Sequence, residues 1–344
     1  MDTYGIGIES SCDETGVSLI KNAAEIIKNP LFSQIEIHKK YGGVVPEKAG
    51  RAHLEKIPYL TKEITDFITE KKIKVSYIAV TMRPGLIGSL LVGYNTAMAL
   101  GLFYKAPVIP IHHLEAHLYA AVLEGHQIKY PFIGLLLSGG NSAFYIVEGL
   151  SKIKKIGDTL DDACGEAYDK AAALLNLPYP GGPHIEKKAA DFLASEGSSK
   201  ERVDSMNPLP VILKDQPASK LDFSFSGIKT ALLYYLQKNE NMHSKEAMAY
   251  YFQERAIEIV ARNLKRAIRN YQVLNVIAAG GVMANKTLKE KIKKVCEKEK
   301  AEFIAPSPAL CTDNAGMVAA LGYQYFISGS WPNENRVSSA ADFF

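Results

Sequence analysis

In the stretch Pro110-Ile111-His112-His113-Leu114-Glu115-Ala116-His117, two histidines stand four residues apart in a run that reads as an amphipathic helix. Residues at i and i+4 share a helical face, so His113 and His117 can offer imidazole nitrogens to one metal ion from neighbouring turns. Two imidazoles rarely suffice. The candidate third ligand is Asp313, in Cys311-Thr312-Asp313-Asn314-Ala315-Gly316-Met317, where a loop gives way to a helix. Two histidines and one carboxylate leave coordination positions open, the pattern of a metal that handles substrate. A packed or surface His pair would show the same spacing. The zinc-protease pattern H-E-x-x-H does not apply, because Leu114 follows His113. Glu115 lies about 200° around the helix from His113 and points away from the metal face.

The elements that must position these residues can be read around them. Val108-Ile109-Pro110 is a short strand that delivers the His helix. Tyr4 to Glu9 alternates like a strand, residues 10–15 are polar and turn-forming, and Gly16 to Ile20 resumes as a strand, which makes a hairpin with a polar tip. The layout recurs about 130 residues later: Phe132 to Leu137 runs into Ser138-Gly139-Gly140-Asn141-Ser142 and then Ala143 to Val147. Small residues at both tips let backbone N–H groups approach an anion closely. Between the hairpins, Ala49 to Glu70 has the periodicity of a helix, Val75 to Thr81 reads as a strand, and a small-residue helix is expected around Ser89 to Gly101. Alternation of strand and helix makes the chain an α/β protein.

After the second hairpin, Asp162, Glu166 and Asp169 fall at i, i+4 and i+7 of a helix expected to run to Leu175, so three carboxylates line one face. A solvated acidic face beside Lys170 would look the same. Pro178-Tyr179-Pro180-Gly181-Gly182-Pro183 is expected to be a loop that cannot be helical. Val273 to Ala278 is a buried-type strand, Ala279-Gly280-Gly281-Val282 a turn, and Met283 to Lys294 a basic helix, a frequent nucleotide-binding junction. Arg262, Lys265, Arg266 and Arg269, with Lys286, Lys289, Lys291, Lys293 and Lys294, make this the most basic region, either a solvated face or a polyanion surface.

Composition bounds these readings. With 344 residues, 47% hydrophobic and 22% charged, the chain is globular rather than disordered and long enough for two domains. The net charge of +3 does not demand a polyanionic partner and allows one whose surface is local. Cys12, Cys164, Cys296 and Cys311 form no C-x-x-C pair, and Met1-Asp2-Thr3-Tyr4 lacks the basic and apolar regions of a secretory signal. No segment approaches the ~18 uninterrupted apolar residues of a membrane span. A reduced, cytoplasmic protein without a membrane partner is the expectation.

Taken together, the chain resembles the tRNA N6-adenosine threonylcarbamoyltransferase family (TsaD type, formerly described as O-sialoglycoprotein endopeptidase or glycoprotease), in a bacterial-like form. The matching stretches, in order from about residue 5 to 325, include residues 7–16, Gly43-Val44-Val45-Pro46-Glu47, Arg51-Ala52-His53, residues 113–117, 137–140, 165–170, 180–183, 223–230, 279–285 and 311–315. The resemblance implies an actin/Hsp70-like (ASKHA) fold of two similar α/β lobes with the active site in the interlobe cleft. The lobes are expected over 1–110 plus about 315–344, and over 111–314, the second carrying the metal. It implies metal ligation by His113, His117 and Asp313, with one divalent ion, iron or zinc, magnesium being a further possibility. Substrate contacts carry onto Leu136, Leu137, Ser138, Gly139, Gly140, Asp169, Gly182 and Asn285, and Asp13 and Glu14 face the cleft, Glu14 being the candidate proton acceptor.

The reaction so implied moves L-threonylcarbamoyl from threonylcarbamoyl-AMP to N6 of adenine 37 in tRNAs reading ANN codons, forming t6A and releasing AMP. Implied partners are tRNA, a degenerate paralogue (TsaB type) and a small ATPase (TsaE type). Other readings on the same fold are an ATPase, a small-molecule carbamoyltransferase or kinase, and a non-catalytic scaffold; the last is expected to lose the His pair and Asp. Three departures mark this chain: Arg83 stands where the family usually has Gly, Asn141 where His is common, and the tail from Trp331 to Phe344 lacks the usual ending.

Overall fold

Alternating apolar residues from Tyr4 to Glu9 form strand β1, and after a tight polar tip the chain returns as β2, Glu14–Lys21, antiparallel in register from Tyr4↔Lys21 to Glu9↔Gly16. The structure, a computed structural model, describes residues 2–41, 43–196, 204–238, 244–334 and 336–341. β3 (Glu25–Lys28) and β4 (Leu31–Ser33) follow on β2, while β5 (Val75–Arg83) pairs parallel with β1 and β6 (Val108–His112) parallel with β5. The sheet order is β3-β2-β1-β5-β6. A second sheet contains β7 (Phe132–Leu137), β8 (Ser142–Gly149), β9 (Lys152–Asp158), β10 (Asn275–Ala279) and β11 (Glu302–Ile304), in the order β11-β10-β7-β8-β9. β7 and β8 are antiparallel, and β10 is parallel to both β7 and β11. Each sheet thus contains a three-strand run continued through its first strand by two parallel strands, the first sheet adding β4 against β2, and the repeated hairpin marks the start of each copy.

The chain divides into two compact units: Met1–Lys129 with Gly149–Ile153 and Pro306–Phe344, and Tyr130–Glu148 with Lys154–Ala305. The boundary expected at residue 110 falls inside the first unit. Residues 111–129 and 306–314, and the His helix with them, belong to the first unit, because that helix packs against helix Ala315–Ser328, which lies on β1, β2 and β5. The contact with β1 is close: a Cβ at Gly7 would sit 2.1 Å from the Ala315 carbonyl oxygen.

Helix Pro46–Lys71 begins with Pro at its first position, where no intrahelical N–H is needed, and ends at Lys72 in the left-handed region. Its Ile57, Ile64 and Ile68 pack with Ile6, Ile8, Val17, Leu19, Ile78 and Val80 in one core, each buried side chain contributing about 1.5–3 kcal/mol. Helix Ile87–Tyr104 packs on the same helix and on β5. It alone among the described residues is long and apolar enough to cross a membrane, although Ser89, Asn95 and Thr96 interrupt its apolar run.

Two expectations in the second unit are corrected. Helix Cys164–Leu174 starts after Asp162, so Asp162 does not share a helical face with Glu166 and Asp169. Its carboxylate instead accepts from Lys170 and Lys229 Nζ, each at 2.6 Å. Helix Gly181–Glu196 begins inside the segment expected to be non-helical, because Pro183 falls in the first turn, where proline costs no hydrogen bond.

Candidate metal centre

β6 ends at His112 and passes directly into helix His113–Tyr119, so His113 and His117 project from consecutive turns. Asp313 reaches them from the loop before helix Ala315–Ser328, whose first turn is capped by Asn314 Oδ1 accepting from Met317 N at 3.0 Å. The Nε2 atoms of the two histidines are 3.2 Å apart, and Asp313 Oδ1 lies 3.5 Å from His113 Nε2 and 3.0 Å from His117 Nε2. The three donor atoms fall within 4.8 Å of one another. This group could bind a metal.

The far side of His113 is held by residues to which the sequence reading gave no role. His113 Nδ1 is 3.1 Å from Glu9 Oε2 and 3.3 Å from Ser11 Oγ. Glu9, at the end of β1, is completely buried and accepts from Ser11 N and Thr81 Oγ1, both at 2.6 Å. A carboxylate behind a ligating imidazole fixes its ring and raises its basicity. Burial opposes the charge on each of these groups, yet the Asp313 and Glu9 carboxylates hold His113 well above the usual histidine range, and His113 in turn holds Glu9 and Asp313 below the usual carboxylate range. The signal was present in the sequence as a lone Glu ending an apolar strand, but its partner lies over a hundred residues away. Glu115 does point away, as expected: its carboxylate, in the opposite direction, accepts from Tyr325 OH at 3.0 Å.

Asp13 and Glu14 sit at the tip of the first hairpin, and Glu14 Oε1 accepts from Ser33 Oγ at 3.1 Å. Burial, then the charges of Asp313 and Asp13, push the Glu14 carboxyl up to about 9. The Cys12 thiol is likewise pushed up, by burial and Asp13.

In the second unit the tip Ser138-Gly139-Gly140 is closed by Ser138 N donating to Asn141 O at 2.8 Å and Asn141 N to Ser138 Oγ at 3.0 Å. Helix Cys164–Leu174 starts against it, Gly165 N donating to Ser138 O at 3.1 Å. Leu136 and Leu137 are completely buried in the strand that carries the tip. Asp169, which burial pushes up, accepts from Gly181 N at 2.6 Å and so fixes the start of the helix bearing Gly182. Asn285 caps helix Lys286–Lys298, accepting from Leu288 N at 2.9 Å, and donates to Gln253 Oε1 at 2.9 Å. Gln253 was not foreseen, being one buried polar residue in a long apolar helix face.

Comparison with known proteins extends this description. A family model, TsaD, described as tRNA N6-adenosine threonylcarbamoyltransferase, matches residues 25–320. The tRNA N6-adenosine threonylcarbamoyltransferase of Leptospira interrogans is 45% identical over 326 residues, 94% of this chain and 94% of that protein. The protein of the same description from Staphylococcus epidermidis is 42% identical over 331 residues, 94% of this chain and 92% of that one. Among solved structures, full-length HypF in its phosphate- and nucleotide-bound form aligns with a TM-score of 0.64 at 12% identity, over 96% of this chain and 56% of HypF. HypF of T. kodakarensis aligns at 0.56 and 16% identity, over 96% and 49%. This chain spans about half the length of those structures, and at such identity the likeness concerns the fold alone, an actin/Hsp70-like one. With a family model over most of its length and relatives above 40% identical across more than nine-tenths of both chains, the chain belongs to the tRNA N6-adenosine threonylcarbamoyltransferase family.

Proposed function

We propose that the chain transfers the L-threonylcarbamoyl group of threonylcarbamoyl-AMP to N6 of adenine 37 in tRNAs reading ANN codons, forming t6A and releasing AMP. The observation that carries this reading is the convergence of His113, His117 and Asp313, with Glu9 behind, in a chain whose relatives bear that name. These three residues would hold one divalent ion, iron or zinc, with magnesium a further possibility. When bound, such an ion supplies Lewis acidity toward substrate oxygens.

The remaining roles fall to the chain's own groups. Backbone N–H groups of Ser138-Gly139-Gly140 are suited to the phosphate of the departing AMP, where charge develops. Asp169 and Asn285 position Gly182 and the start of helix Lys286–Lys298, and Leu136 and Leu137 carry the tip. Glu14, with Asp13 beside it, takes the proton lost by the exocyclic amine, a role that needs its ionised form. An ATPase, a kinase or a scaffold on the same fold does not account for the His–His–Asp convergence.

tRNA would meet the exposed lysines of helix Lys286–Lys298. We assign a TsaB-type paralogue and a TsaE-type ATPase as partners and the cytoplasm as location. A protein partner is supported by helices Pro46–Lys71 and Ile87–Tyr104, which leave Leu54, Tyr59, Leu102 and Phe103 more than 60% exposed and line a groove of about 700 Å³ with Leu54, Pro58, Leu91 and Ala99. The test is replacement: in a bacterium depleted of its own family member, this chain should restore t6A in digested tRNA. Soluble expression without t6A would contradict the proposal.

A further inference from the structure

Arg83, at the end of β5, and the tail after Trp331 meet in the structure. Arg83 forms an ion pair with Glu334, and the two side chains are only 16% and 20% exposed. A guanidinium so far from water needs a carboxylate partner, and removing that partner costs more than the pair itself is worth. Beyond Glu334, Val337 packs against the core that holds Val80 and Met82, and Ser338 N donates to Met82 O at 2.9 Å. Met82 is the extra residue where the β5–β6 register slips, Thr81 facing Ile111 and Arg83 facing His112, and Ser338 satisfies its carbonyl. Farther on, Ala341 O lies 3.3 Å from His112 Nε2.

The contacts at Met82 and His112 each land one residue from a candidate metal ligand or its support, and Arg83 adjoins Met82. Met82 follows Thr81, whose hydroxyl donates to Glu9, which in turn faces His113. His112 directly precedes His113. β6 is the edge strand of its sheet, with β5 as its neighbour, and the helix it delivers is only seven residues long. A ligand on so short an element needs outside support, since productive site geometry tolerates displacements of only about 0.5 Å.

We propose that Glu334 and residues 336–341 act as a strap that positions the His helix of this chain, with Arg83 and Glu334 as its anchoring pair and as positioning residues for His113; this rests on the reading of His113, His117 and Asp313 as a metal centre. The strap predicts that Arg83 and Glu334 are coupled to each other and, through β5 and β6, to metal affinity.

The test uses the full chain and Zn²⁺ and Co²⁺ alone as probes. Zn²⁺ affinity is measured by competition with a chromophoric chelator and ligand geometry by the Co²⁺ absorption spectrum, in the parent, Glu334→Gln, Arg83→Glu and the exchanged pair Arg83→Glu/Glu334→Arg. Each single change should weaken Zn²⁺ binding about tenfold and alter the Co²⁺ spectrum, and the exchanged pair should recover most of the loss. Amide exchange across 108–119 should quicken in Glu334→Gln without metal. Zn²⁺ affinity within twofold of the parent in both single variants would overturn the strap. If Arg83→Glu does not fold, Glu334→Gln alone decides by the same criterion. A parent that binds neither ion refutes the metal reading instead, and the metal-free exchange then judges the strap: unchanged exchange in Glu334→Gln overturns it.

Discussion

At His113 the two ring nitrogens have separate duties, Nε2 facing His117 and Asp313 while Nδ1 faces Glu9 and Ser11. Replacing Glu9 by Gln keeps the shape but removes the charge that orients and polarises the ring. Metal affinity should fall about 10- to 100-fold in a chelator competition while circular dichroism stays that of the parent; equal affinity would leave Glu9 a structural residue only. Glu14 makes a second residue-scale case. Burial and the Asp13 charge push its carboxyl upward, so the ionised form that can accept a proton grows as pH rises. Transfer rates should therefore climb from neutral to alkaline pH in the parent and stay low and flat in Glu14→Gln, with metal content unchanged. The His pair and Asp313 were legible in the sequence because helical spacing is local and the loop-to-helix junction at Asp313 is marked by Asn314 and Gly316. Glu9 was not, because its meaning depends on β1 pairing with β5 and on Thr81 lying across the pair.

At the scale of elements, the second unit depends on two turns. Gly280 has φ +94, and a Cβ there would lie 2.4 Å from Leu137 O, so Gly280→Ala should cost about 2–4 kcal/mol and show as lowered thermal stability. Asp162 ties the segment before helix Cys164–Leu174 to Lys170 in that helix and to Lys229 in helix Ser226–Lys238. Burial opposes its charge, but the two lysines hold its carboxyl down at about 2. A depressed carboxyl contributes stability above its unfolded value near 4, and that contribution is lost as pH falls through about 2. Asp162→Asn should thus lower stability at neutral pH by about 1–2 kcal/mol, allowing for solvent screening at half-exposed Lys170, and the difference should vanish below pH ~2. Hairpins and long helices were readable from periodicity; the place of Asp162 was not. Carboxylate spacing suggested a helical face, whereas Ala163, extended, caps the helix one residue later. The start of helix Gly181–Glu196 was hidden by the prolines and glycines that usually mark loops.

For the whole molecule, a net charge of +3 means that tRNA binding must draw on local basic surface. The structure narrows which residues remain for it. Arg269 is engaged by Glu299 through two bonds of 2.8 Å, Arg262 donates to Ile212 O at 3.0 Å, and Lys289 reaches Ala305 O at 3.4 Å. Lys291, Lys293 and Lys294 are exposed on helix Lys286–Lys298. Neutralising these three should weaken binding alike for all substrate tRNAs and flatten the salt dependence, without changing which adenosine is modified; the parent's affinity and salt slope in the triple variant would place the surface elsewhere. The duplicated sheets were legible as a repeated hairpin, but the boundary was not. It is set by helix Ala315–Ser328 returning to β1 and drawing the His helix into the first unit, a contact over two hundred residues apart in sequence. The most direct test of the account is mass analysis of nucleosides from t6A-free tRNA incubated with threonylcarbamoyl-AMP, the paralogue and ATPase partners, and either the parent chain or His117→Ala. The account predicts N6-threonylcarbamoyladenosine at position 37 with the metal-loaded parent, and its loss together with the metal in His117→Ala. Equal t6A from both proteins, or none from the loaded parent, would contradict it.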